Sequence, residues 1–311
     1  MFALRGIAVS LAFFVLVYCL LSGLVAVAWR SLRFLPAKAR SVAQLLFALR
    51  ILPFAASLLI TFAFVVPSFD LLEPRSIDEG MGAMPLALGI CALVLIACGC
   101  FRVVTAQIRT SRVVARWLEG VHPLDAGAET ITFQARREAP PLTLDGIRNP
   151  RVLISEATVA LLSEDELRMA LNHERAHMRS HDNLKKLIFR LCPFPGMSKL
   201  ENAWSQAAEL GADDAAVANP GDAVDLASAL VKLSRLVPVE AAPVCTVGFV
   251  TGSLKVRVAR LLAWDQAANT EPLALRAWYT VPPVLTALGL IFVGYRPALA
   301  LTHQVTEWLV R

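Results

Sequence analysis

Charge is what this sequence has least of. Only 18% of its 311 residues are Asp, Glu, Lys or Arg, 56% are hydrophobic, and the mean hydropathy is +0.58. That balance excludes an ordinary soluble domain and predicts a membrane protein. The shortage is concentrated: Ile7 to Trp29, Ile51 to Phe69, Gly80 to Phe101 and Ala277 to Tyr295 hold no charged residue. Each run is close to the roughly twenty residues that cross a bilayer core as a helix. Tyrosine is also scarce, with three in all and none between Arg102 and Arg276, so that segment has no phenolic group for its chemistry. The six cysteines make no framework. Cys19, Cys91, Cys98 and Cys100 fall in the charge-free runs, Cys192 and Cys245 outside them, and Cys98-Gly99-Cys100 is not a metal-ligand spacing. Internal repeats and low-complexity segments are absent too.

The charges that are present set a topology. Arg30 to Arg50 carries five basic residues and no acid, whereas Asp70 to Glu79 carries Asp70, Glu73, Asp78 and Glu79 against Arg75 alone. Because Lys and Arg near span ends stay on the cytoplasmic side, the first loop is expected inside and the second outside. Arg102, Arg109, Arg112 and Arg116 follow the third span with no acid among them, which places the long segment after it in the cytoplasm and both termini outside. The first run ends at Arg30, Arg33, Lys38 and Arg40, the pattern of a retained anchor rather than a cleaved leader. The pI near 9.0 and net charge of +5 are accounted for by these topogenic residues, so nucleic acid is not an expected partner and the bilayer is. A transporter or channel is disfavoured because the spans carry almost no ionisable group beyond Arg50 at one end.

Residues 102 to 276 have mixed polarity and room for one compact domain. Arg102 to Trp117 reads as a helix continuing out of the third span and lying along the headgroups. Thr130 to Gln134, Leu142 to Leu144 and Arg151 to Ser155 read as strands, the last two paired across an Asp145-Gly146 turn. Ser163-Glu164-Asp165-Glu166 is a capping box that opens a helix running to about Leu191, where Pro193 and Pro195 stop it. Ser198-Lys199-Leu200-Glu201 reads as a second box opening a helix that ends before Asn219-Pro220-Gly221, and Asp222 reads as the cap of a third.

The first of these helices contains His173-Glu174-Arg175-Ala176-His177. Residues four apart stand one above the other on a helix, so His173 and His177 can aim two imidazoles at one ion. Glu174 falls beside that ion, placed to take a proton from water. Neutral imidazoles leave zinc its charge, which makes a water nucleophile near neutral pH. A third ligand must come from elsewhere. Glu209 on the next helix is a plausible carboxylate for it, and Asp213, one turn on, is suited to receive the free ring N–H of a ligating histidine. Three ligands with an open fourth position describe a catalytic site rather than a structural one. His181, four residues beyond His177, is either an oxyanion donor or a solvated or capping histidine. Arg257 is either a contact to site or substrate or a surface helix position.

At these residues the sequence resembles the membrane zinc metallopeptidases of the gluzincin type. HERAH and the ELGAD that contains Glu209 and Asp213 look like their HExxH and ExxxD motifs. Leu161-Leu162-Ser163 through Asn172 is similar to their lead-in, and Leu254 to Leu262 to their later Arg-containing segment. The layout most resembles the BlaR/MecR-type antirepressor peptidases, and next the HtpX and Ste-type peptidases. The likeness implies a protein substrate, with a transcriptional repressor as the antirepressor case, and a substrate backbone paired to Arg151 to Ser155 as an edge strand. BlaR/MecR proteins carry a penicillin-binding sensor after the fourth span. Here about fifteen residues follow Tyr295, so a signal is expected through the spans or from a separate sensor partner.

The expected protein is thus a mainly α membrane protein with four transmembrane helices and an α+β zincin-like metallopeptidase domain between spans three and four. Residues 1–101 form the membrane domain, 102–276 the cytosolic peptidase, and 277–311 the fourth span with a short outer tail. The expected activity is zinc-dependent endopeptidase cleavage at the cell membrane. The competing reading is a catalytically idle receptor or scaffold with a zinc-binding domain, disfavoured because an idle relic has no need of Glu174.

Overall fold

Three helices follow from the charge-free runs. In the computed structural model, which describes residues 2–30, 38–74, 82–118, 123–124, 132–135, 140–147, 150–236, 247–248, 254–264 and 294–308, α1 is Phe2–Ala28 and α2 is Ala39–Ile60. A π-helical turn, Thr61–Val65, leads from α2 into α3, Val66–Leu72, and α4 is Ala83–Trp117. Phe2–Ala28, Ala39–Leu72 and Ala83–Trp117 are each long and apolar enough to cross a membrane. Their outward faces carry Leu4, Ile7, Leu20, Leu24, Leu59, Phe62, Leu93 and Val94 exposed, which is costly in water and favourable in lipid. The π-turn precedes Pro67, whose missing N–H leaves the Ala63 carbonyl without its helical donor. The Tyr295 hydroxyl donates to that carbonyl at 3.0 Å. Tyr295 belongs to a helix over residues 294–308, here α11. The rest of the expected fourth span, residues 277–293, lies outside the described residues.

Past Phe101 the helix continues, as expected from Arg102 to Trp117. α4 runs unbroken to Trp117, and its C-terminal half meets the sheet, with Val114 against Leu153. The strands are β1 Pro123–Leu124, β2 Thr132–Ala135, β3 Leu142–Asp145, β4 Arg151–Ser155 and β5 Val247–Gly248, in the order β1-β2-β4-β3-β5. The expected hairpin is present, with Leu142 opposite Ile154 and Leu144 opposite Val152, turned at Gly146 with φ of 94°, a conformation that glycine adopts without strain. β4 is not an edge strand: β2 pairs it in parallel on one side and β3 antiparallel on the other. Its backbone is fully engaged and cannot receive a substrate, because Val152, Leu153 and Ile154 are buried on both faces of an interior position.

The helices are α5 Glu156–Leu161, α6 Glu164–Arg179, α7 Asp182–Leu191, α8 Ser198–Ala216, α9 Pro220–Ser234 and α10 Leu254–Leu262. The capping box at Ser163 forms as expected: Glu166 N–H donates to Ser163 Oγ and Ser163 N–H to Glu166 Oε2. The second box does not. Glu201 is taken by Arg50, whose Nε donates to it at 2.8 Å, and α8 has no side-chain cap. Asn219, not Asp222, caps α9, accepting from the Asp222 N–H. The helix expected to run to Leu191 breaks after Arg179, with His181 in the left-handed region at φ 54°. One core joins β3 and β4 to α6 and α9 through Leu142, Leu144, Val152, Ile154, Met169, Leu226 and Leu230. A second joins α2 to α8 through Ala43, Leu46, Leu200, Trp204 and Ala207.

Candidate metal centre

α6 brings the two histidines together because its polar-side residues face inward at this point: His173, Glu174 and His177 are each 0–1% exposed. Burial of that kind is stable only if the groups are held. His173 Nδ1 lies 2.9 Å from Asp213 Oδ1, and His177 Nδ1 lies 2.7 Å from Asp182 Oδ2. With each Nδ1 beside a carboxylate, the two Nε2 atoms face one another at 3.1 Å. Glu209, from α8, completes the triangle: its Oε2 is 3.6 Å from His173 Nε2 and its Oε1 is 3.6 Å from His177 Nε2.

Three ligand atoms converge here, held together either by a proton on a histidine Nε2 or by a cation that replaces it. Tetrahedral zinc with bonds of about 2.1 Å separates its ligand atoms by about 3.4 Å, and the observed separations lie on either side of that value. Glu174 supplies the second test. Both its carboxylate oxygens are buried without a hydrogen-bond partner, the state of a base whose partner enters with the metal and water. The donor set, two imidazoles and one carboxylate, therefore fits zinc and leaves a fourth position.

The electrostatics agree with that use. Burial alone would lower the His173 pKa, but Asp213 and Glu209 outweigh it and hold it up at about 9, so metal loading displaces a proton. Burial pushes Glu174 up from the ordinary carboxylate value. Asp213 and Asp182 go the other way: burial opposes ionisation, yet the hydrogen bonds of His173 and Arg257 to Asp213, and of His177 to Asp182, hold both carboxyls low.

His173, Glu174, His177, Glu209 and Asp213 lie together, Arg257 takes the site-contact side of its two readings, and His181 lies apart. Arg257 is neither a surface residue nor a free contact for substrate. It is 3% exposed, with Nε and Nη2 donating to Asp213 at 2.8 and 2.6 Å and Nη1 donating to Glu209 Oε2 at 2.9 Å. His181 is exposed in the break after α6 and makes no side-chain cap, because the chain has left the helix face that His177 occupies. Asp182 is the residue that sequence reasoning missed. Its signal was the spacing of five from His177, which an unbroken helix would carry to another face and which the left-handed turn at His181 brings back.

Residues 145–200 match the model of Peptidase family M48. The match covers β4, α5, α6 and α7, hence His173, Glu174, His177 and Asp182, and ends before Glu209. Peptidases of that family are metal-dependent, and the match supports a metallopeptidase here. Among curated proteins, none matches this chain.

Proposed function

We propose that this chain is a zinc-dependent, membrane-anchored endopeptidase whose catalytic unit faces the cytoplasm. The observation that carries the reading is the buried triangle of His173, His177 and Glu209 beside a Glu174 with no partner of its own. Zinc bound there would supply Lewis acidity toward water and the scissile carbonyl. Glu174 takes the proton of the attacking water and hands it to the leaving amine, a task for which burial has raised its affinity for protons. Asp213 and Asp182 keep the imidazoles turned with Nε2 inward. The cytoplasmic side follows from the basic first loop and the arginines after Phe101. Among membrane gluzincins the likeness to BlaR/MecR-type peptidases favours a protein substrate such as a transcriptional repressor, with the activating signal entering through the spans or a sensor partner.

The test separates metal from chemistry in the purified full-length chain. The parent should hold about one zinc. Glu174→Gln should keep it and lose at least about a hundredfold in cleavage of an unfolded protein substrate or of the chain itself, whereas His177→Ala and Glu209→Gln should lose zinc and activity together. Normal cleavage by Glu174→Gln, or zinc-free parent protein, would refute the reading.

A further inference from the structure

Arg257 reaches the centre from an element anchored elsewhere. Leu254, Val258 and Leu261 recur at the spacing of one helix face and pack into the core shared with α9. The same helix presents Arg257 and Arg260, one turn apart, to α8. Arg260 pairs with Asp214 at 2.8 Å and donates to the Leu210 carbonyl, and it is 41% exposed at its side chain. Arg257 is fully enclosed and divides its fork between two carboxylates with different duties, the third ligand and the residue that orients the first.

We propose that Arg257 is a positioning residue that holds Glu209 as a one-oxygen ligand and links it to Asp213, so that the docking of α10 on α8 sets the metal affinity of the centre. The proposal rests on the metallopeptidase reading and deepens it. A carboxylate free to turn can chelate an ion through both oxygens and fill the position that a catalytic zinc leaves open. Oε2 and Oε1 each lie 3.6 Å from a histidine Nε2, but Oε2 already accepts from Nη1 of Arg257 at 2.9 Å, so the guanidinium fixes the plane of Glu209 and competes for that one oxygen. Arg257 also gives two buried carboxylates a counter-charge, without which their burial would be strongly unfavourable. Lysine cannot substitute, because a point charge reaches one carboxylate but not both in a fixed plane.

Zinc affinity of the full-length protein, read by competition with a chelator, tests this. Arg257→Gln should weaken zinc at least about tenfold, the low end for partners of metal ligands. Arg257→Lys, which keeps the charge and is the variant expected to fold should Gln not, should stay weakened at least about threefold. Arg260→Gln loses its pair with Asp214 and should remain within about twofold of the parent. In an Asp213→Asn background, Arg257→Gln should cost less than in the parent, because the two side chains act through each other. Parent-like affinity in both Arg257 variants, or an equal cost in the two backgrounds, overturns the proposal. A parent that binds no zinc overturns it together with the metallopeptidase reading, so the two failures are distinct.

Discussion

Asp182 accounts for half of the support around the two histidines, yet it is neither ligand nor base. Its Oδ2 faces His177 while its Oδ1 accepts from Lys185 Nζ at 3.0 Å, so the carboxylate is held at both ends. Asp182→Asn keeps the shape but offers the ring either an amide N–H or a neutral oxygen, and the preference for the tautomer with Nε2 inward is lost. Zinc affinity should fall by about ten- to a hundredfold with the fold intact, as judged by chelator competition and circular dichroism. Unchanged affinity would show that His177 is oriented by packing alone. At this scale the meeting of residues 173, 174 and 177 was legible because a helix of known period fixes where they point. Arg257 was not, since its role depends on α10 meeting α8 across 44 residues of sequence.

The elements were legible where the signal is local and illegible where a distant group competes. Ser163 and Glu166 cap α6 as written because the distant partners of Glu166 leave its bond with the Ser163 N–H in place. The identical pattern at Ser198 fails because buried Arg50 claims Glu201. Glu166 also draws Ser228 Oγ at 2.5 Å and Lys232 Nζ at 2.7 Å from α9, tying the start of the metal-binding helix to its neighbour. Burial pushes the Glu166 pKa up, but Lys232, Ser228 and the Ser163 N–H outweigh it and leave it lowered. A carboxyl depressed in the folded state contributes stability above its unfolded value of 4.5, and that contribution disappears as pH falls through the folded value. Glu166→Gln should therefore cost about 1–2 kcal/mol near neutral pH. The gap in thermal midpoint between parent and variant should narrow below about pH 4.5. A gap that widens on acidification would contradict the assignment.

For the whole molecule, three spans could be read from missing charge, but how the catalytic unit sits on them could not. The C-terminal end of α7 is held by all three long helices. Arg50, 2% exposed, donates to the Phe189 and Cys192 carbonyls at 3.3 and 2.7 Å, placing a cation where a helix end is negative. Tyr18 Oη donates to the Pro193 carbonyl at 3.1 Å. On α4, Gly99 lies so close to the Leu191 carbonyl that a Cβ there would collide with it. The sequence showed Arg50 only as a charge at the end of an apolar run, since its partners lie about 140 residues on. The candidate ligands nonetheless sit on α6 and α8, which pack on each other, with α10 behind them. Loosening the dock should therefore leave the centre standing. Arg50→Gln leaves the Phe189 and Cys192 carbonyls without their donor, at a cost of about 1–3 kcal/mol, and Gly99→Val forces the α7 end away from α4. Both variants should be cut faster by added protease around residues 191–197 while keeping about one zinc per chain, as metal analysis and limited proteolysis would record. Loss of zinc in step with the loosened corner would mean that the membrane helices are part of the metal site, not only its mount.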